Sequence, residues 1–232
     1  RSAFMFSGPL SHHLKSFSLP HAGGCELGKR TVLPHIYGLE EYGTIVDTKS
    51  DRYDFLVNKK NPSRAVVMYE SGDTATENIL FAAAVNPGTS VIKMASANYQ
   101  VQDACLYLQK LGVKIDGIGT TTLTVRGLST PPKKSVSYAP SEDPVEAMTF
   151  LAAAITANSE ITIRRVPIDF MELELLKLEH AYVSSIKSGA DATKAAVLEV
   201  ATSSTTSPSI KKEISGFIAS KAFDLVFQAL AT

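Results

Sequence analysis

Phe81-Ala82-Ala83-Ala84-Val85 recurs about 70 residues later as Leu151-Ala152-Ala153-Ala154-Ile155, and this internal repeat constrains the fold more than any single motif. Each copy leads through a short connection into a β-rich run, residues 89–93 and 160–164. Each run leads into an amphipathic helix, 101–111 and 171–180. One period earlier, residues 32–42 occupy the place of the first of these helices. Each helix is expected to run into a strand: 44–47, 113–116 and 183–186. Gly43 and Gly112 stand where a helix end calls for a left-handed residue. Gly117-Ile118-Gly119 reads as the turn of a hairpin between 113–116 and 121–126. Helix, strand and turn signals recur in phase, which chance similarity of alanine-rich helices would not produce. The unit is β-α-β-α-β-β, an α/β design of small sheets packed by helices, with about three units in the chain.

Residues 129–144 carry four prolines, and 201–208 are rich in Ser and Thr; both read as connections. The first marks the expected domain boundary. It separates residues 1–142, two incomplete repeat units with a cysteine loop, from 143–232, one unit with a C-terminal helix. Lys and Arg (23) balance Asp and Glu (23), so the basic footprint of a nucleic-acid binder is absent. An anionic ligand would need a few placed basic residues. No apolar run approaches the roughly 20 residues of a membrane helix. Two cysteines in 232 residues make no disulfide framework, and a reduced, cytoplasmic protein is the simpler reading. The chain opens at Arg1 in a strand-like run, so its true N-terminus is expected upstream.

The strongest local signal is Pro20-His21-Ala22-Gly23-Gly24-Cys25-Glu26-Leu27-Gly28-Lys29-Arg30. Glycines loosen this backbone, and Lys29 and Arg30 favour a thiolate or hold an anion. A reactive cysteine on a closing loop and a surface cysteine on a glycine-rich turn both fit. Cys105, inside a helix with apolar neighbours, reads as buried and inert. His12, His13, His21 and His35 match no closed zinc pattern, and no metal site is expected. Asp73-Thr74-Ala75-Thr76-Glu77 reads as a helix N-terminus capped by Asp73 or Thr74. Glu142-Asp143-Pro144-Val145-Glu146 opens the equivalent later helix. Its acids either complement the helix dipole or line a cleft between domains.

Taken together, residues 1–10 (RSAFMFSGPL), GGCELGKR with His35 following, and Thr74-Ala75-Thr76-Glu77-Asn78 resemble the UDP-N-acetylglucosamine enolpyruvyl transferases. Val101-Gln102-Asp103, Gly119-Thr120 and Asp143-Pro144-Val145-Glu146 fit as well, and the resemblance spans most of residues 1–180. It implies an inside-out α/β barrel of two domains, each with three copies of the repeat, and an active site between them. About three of six units would then be present. It also implies transfer of the enolpyruvyl group of phosphoenolpyruvate to the 3′-hydroxyl of UDP-N-acetylglucosamine, with no cofactor. By position, Cys25 matches the proton donor, and Arg1 and Arg30 match arginines that contact phosphate and nucleotide. Thr31, Val32, Leu33 and Pro34, and then Glu70, Ser71, Gly72 and Asp73, match nucleotide-contacting stretches. Asp143 is carried with the substrate-binding set. Asp224, in Phe223-Asp224-Leu225, matches the aspartate that takes the hydroxyl proton or is a surface residue of an amphipathic helix, 223–230.

The sequence departs from the pattern too. Leu33 stands where an acid is expected, Glu70 where a lysine is common, and Pro144 where an arginine is common. The loop before Gly23 is about two residues long in excess. The family's N-terminal Lys-Asn motif and the units after Asp224 are missing, so a fragment that is inactive alone and self-associates through the missing units is expected. Three alternatives stay open: a degenerate, non-catalytic homologue that binds nucleotide-sugar or a partner, a shikimate-pathway enolpyruvyl transferase, and a redox protein using Cys25 and Cys105. The Gly-Gly-Cys loop speaks against the shikimate enzyme.

Overall fold

The computed structural model of the chain describes residues 2–21, 31–130, 135–157 and 161–187. Two units separate, residues 1–140 and 141–232. In the first, a 3-10 turn (Ser2–Phe6) leads into α1 (Ser7–Leu10), β1 (Ser16–Pro20), α2 (Leu33–Glu41), β2 (Thr44–Thr48) and β3 (Arg52–Val57). Then follow β4 (Val66–Val67), α3 (Asp73–Ala84), β5 (Gly88–Lys93), α4 (Tyr99–Leu111), β6 (Lys114–Asp116) and β7 (Thr122–Gly127). The second unit holds α5 (Pro144–Thr156), a 3-10 turn (Ile168–Phe170) and α6 (Glu172–Lys187).

The repeat is structural. One sheet has the order β1-β3-β2, and the other has β4-β5-β7-β6. β1-β3-β2 and β5-β7-β6 therefore share one antiparallel plan, each with its second hairpin strand in the middle. β4 adds to the second sheet as a parallel edge. The central helix of the core is α3. Ala75, Ile79, Leu80, Ala82, Ala83 and Ala84 are each at most 1% exposed, and α1, α2, α4 and β7 all pack against the helix. Small alanines are what let neighbours approach a helix from several sides. Full burial of Ile79 and Leu80 contributes roughly 1.5–3 kcal/mol each. On the first sheet, paired Phe17 and Phe55 stack at 4.5 Å, and Phe4 packs edge-on to Tyr53.

The glycine expectations hold. Gly43 takes φ +86°, and a Cβ there would fall 1.8 Å from the Asn58 carbonyl oxygen. Gly112 takes φ +106° after α4, and the Val113 N–H returns to the Leu108 carbonyl at 3.1 Å. The hairpin β6–β7 turns through Gly117 and Gly119, both at positive φ.

Three expectations are overturned. The strand-like N-terminal run is helical: Ser7 Oγ donates to the Phe4 carbonyl and Ser11 Oγ to the Gly8 carbonyl, bonds that close helical turns. Residues 161–164 form no strand; Ile161 and Ile163 pack against the apolar side of α5 instead. The segment 183–186 is the last turn of α6, because the Leu-, Glu- and Lys-rich sequence keeps helical periodicity past His180. Unit 2 has small cores of its own, with Ala147, Val166, Ile168 and Met171 in one and Leu151 and Ala154 in another.

Candidate functional site

Of the residues assigned by resemblance, Arg1, Cys25, Arg30 and Asp224 lie outside the described residues. The remaining set falls on two neighbouring elements of unit 1, with Asp143 in unit 2.

The stretch from Thr31 to Pro34 is the entry of α2. Thr31 Oγ1 accepts from the Leu33 N–H at 3.1 Å, and Pro34 occupies the first turn, where its missing N–H costs nothing. Thr31 and Leu33 face solvent while Pro34 is buried, which fixes the direction of the stretch. The stretch from Glu70 to Asp73 joins β4 to α3. Its anchors are numerous. Ser71 Oγ donates to the Ala95 carbonyl at 3.1 Å, and Thr76 Oγ1 donates to the Gly72 carbonyl at 2.8 Å while accepting from the Ser96 N–H at 3.0 Å. Asp73 accepts from Ser96 Oγ at 2.5 Å and from Asn98 Nδ2 at 2.9 Å.

That geometry corrects the capping expectation. Neither Asp73 nor Thr74 caps α3; extended Gly72 holds the N-cap position without a side-chain bond. The Asp73 carboxylate is turned to the 96–98 loop, whose hydroxyl and amide donors it can reach without bending back over its own helix. One turn on, Glu77 is 9% exposed and its carboxyl is pushed up to about 7, first by burial and then by the charge of Asp73.

α2 packs against both β4 and α3, and Tyr37 meets Tyr69 at 5.2 Å, so the two stretches adjoin. Asp143 caps α5, accepting from Val145 N–H at 2.8 Å and Glu146 N–H at 3.3 Å. It borders an open depression lined by Glu142, Phe150, Arg164 and Arg165, where Glu142 and Arg165 pair. Among the described residues no cluster of three His, Cys, Asp or Glu side chains could hold a metal, and no helix is long and apolar enough to cross a membrane. Cys105 is fully buried on α4, and burial pushes its thiol up to about 12.

Sequence reasoning missed two features. Asn78, fully buried on α3, links three elements through its amide; a lone amide in an otherwise apolar helix stretch was its signal. The exposed Tyr37–Tyr69 pair could not be found from sequence, since its partners are 32 residues apart and carry no motif.

Residues 4–227 match the EPSP synthase (3-phosphoshikimate 1-carboxyvinyltransferase) family. The chain is similar to the UDP-N-acetylglucosamine 1-carboxyvinyltransferase of Aeromonas salmonicida (strain A449), with 32% identity over 191 residues, 82% of this chain and 45% of the relative. Among solved structures it resembles the enolpyruvyl transferase NikO from Streptomyces tendae, with TM-score 0.55 and 16% identity over 75% of this chain and 42% of that one. It also resembles EPSP synthase from Acinetobacter baumannii, with TM-score 0.56 and 15% identity over 78% of this chain and 40% of that one. The chain thus spans less than half the length of each.

Proposed function

The chain belongs to the EPSP synthase family of enolpyruvyl (carboxyvinyl) transferases, and on that premise we propose that it serves transfer of the enolpyruvyl group from phosphoenolpyruvate to the 3′-hydroxyl of UDP-N-acetylglucosamine, with release of phosphate. The observation that carries this choice of acceptor is the 32% identity, over 82% of the chain, to a UDP-N-acetylglucosamine 1-carboxyvinyltransferase. The Gly-Gly-Cys loop supports it.

In this reading the barrel is inside-out, its first domain (1–142) carries the cysteine loop and its second begins at 143. Protonation of C3 makes C2 of phosphoenolpyruvate electrophilic, and Cys25 supplies that proton. Asp224 takes the proton of the attacking sugar hydroxyl. Expulsion of phosphate with loss of a C3 proton then restores the double bond. Arg1 and Arg30 hold the phosphates, Thr31 to Pro34 and Glu70 to Asp73 contact the nucleotide, and Asp143 borders the substrate. The reaction would be the committed step of peptidoglycan synthesis, in the cytoplasm. Self-association of the chain belongs to the same proposal.

A degenerate homologue that binds nucleotide-sugar without turnover is favoured by Leu33, which puts an exposed apolar side chain at the entry of α2 where the family pattern has an acid. Phosphate release from phosphoenolpyruvate that requires UDP-N-acetylglucosamine, measured on the full-length protein, separates the two: turnover supports the transferase, and binding without turnover supports the degenerate form.

Labelling tests the cysteine assignment. A small phosphonate epoxide should alkylate Cys25 at least about 100-fold faster than Cys105, since only thiolate reacts and burial suppresses it at Cys105. Peptide mass spectrometry reads the two sites. Equal rates would remove Cys25 from the chemistry.

A further inference from the structure

The two repeat helices are covered differently. One repeat period apart, Val145, Thr149, Phe150 and Ala153 of α5 stand where α3 has Ala75, Ile79, Leu80 and Ala83. Those α3 residues are each at most 1% exposed, because α1, α2, α4 and β7 close around that helix. Their counterparts on α5 are all exposed, Val145 at 64% and Phe150 at 49%. Val145, Thr149 and Ala153 follow one another at four-residue spacing and form one stripe, with Phe150 beside Ala153 at its edge. Thr149 adds to the apolar character of the stripe. Its Oγ1 donates back to the Val145 carbonyl at 2.8 Å, which leaves the methyl group for a neighbour. The opposite side of α5 is already occupied, since Ala147, Leu151 and Ala154 pack into the cores of the second unit.

We propose that this stripe is the docking face for an apolar segment of the same chain, residues 223–230, which closes the second unit as the neighbours of α3 close the first. The chain continues past α6 from 188 to 232. Phe223, Val226, Phe227 and Leu230 recur there at helical spacing, an apolar stripe of the same kind as the one on α5. The family match runs to residue 227, so most of this segment belongs to the part of the chain that the family shares. Asp224 falls outside the stripe, and the contact leaves it open for the role proposed above. Tethering favours this occupant over a second copy. A tether of residues 188–222 gives an effective concentration on the order of millimolar, about a thousandfold above that of separate chains in a micromolar solution. The contact requires neither the acceptor nor the chemistry proposed above.

The test uses the full chain. A photoreactive p-benzoylphenylalanine in place of Phe150, irradiated in an equal mixture of light and heavy isotope-labelled chains, should cross-link to residues 223–230 of its own chain. Mass spectrometry of the linked peptides reads this. Chymotrypsin supplies a second measurement. Ala153→Glu sets a carboxylate in the stripe without touching the cores of the second unit. It should speed cleavage after Phe223 and Phe227 at least about 10-fold, because a charge against apolar side chains raises the population of the released segment. Ala153→Ser should stay within about 2-fold of the parent. Cleavage after Phe170, next to the buried Met171, should not change, which separates release of the segment from unfolding of the unit. Cross-links joining light chains to heavy ones would give the face to a second copy and overturn the proposal. So would cross-links that miss 223–230, or equal cleavage of the parent and Ala153→Glu.

Discussion

Asn78→Ala should cost about 3–5 kcal/mol of stability, because several buried groups lose partners at once and each orphan costs roughly 1–3 kcal/mol. Asn78 Oδ1 accepts from the Gly8 N–H at 2.7 Å. Its Nδ2 donates to Ser7 Oγ at 2.9 Å and faces His35 Nδ1 at 3.2 Å. One side chain therefore ties α1, α2 and α3 together inside the core. Replacing it with leucine refills the volume but orphans the same groups, so Asn78→Leu should lose nearly as much; a cavity effect would instead spare it. Gly8 gives an independent check. A Cβ there would lie 2.3 Å from the Asn78 carbonyl oxygen and 2.6 Å from Oδ1, so Gly8→Ala must displace α1. If that network is one unit, Gly8→Ala and Asn78→Ala combine to less than their sum. Urea unfolding followed by circular dichroism measures this as a midpoint fall of more than about 1 M at unchanged slope. A loss below 1 kcal/mol for both Asn78 variants would show that water or rearrangement satisfies these groups.

The network also shows where sequence reasoning reaches its limit. The repeat, the paired helices and the hairpins were legible because each rests on local signals: alanine runs, apolar periodicity, and glycines such as Gly43 and Gly112 that need left-handed backbone. The misread segments lie where a local signal is ambiguous. Ile161 and Ile163 alternate like a strand, but alternation only says that one side is buried, and here the burying partner is α5. Val183 and Ile186 have strand propensity, but their spacing also suits the helix that precedes them. Within the candidate site, the stretches at 31–34 and 70–73 were assigned through resemblance. What holds them was not, since Asp73 meets Ser96 and Asn98 across a turn of chain that only folding brings near.

The second large effect is expected from Glu77, and its sign depends on pH. In the folded chain its carboxyl titrates near 7 instead of near 4.5, because burial removes water and Asp73, one turn earlier, adds like charge. A raised acid favours the proton-bound folded state, so the unfolded chain is the first to ionise as pH rises. Below about pH 4.5 both states hold the proton and no penalty exists. Between about 4.5 and 7 the unfolded chain alone ionises, and stability falls by roughly 1.4 kcal/mol per pH unit. Above 7 both are charged and the penalty is constant, at most about 3 kcal/mol. Glu77→Gln removes the titration while keeping the shape. The variant should therefore outlast the parent in urea at pH 8 by up to this amount, and the gain should shrink towards nothing near pH 4.5. Asp73→Asn should recover only the smaller part, since the Asp73 charge ranks below burial as a cause. A carboxyl NMR titration of Glu77 reads the same quantity directly. If Glu77→Gln changes stability equally at pH 5 and pH 8, the carboxyl is hydrated in the folded chain, and the packing of α3 around it is looser than its burial implies.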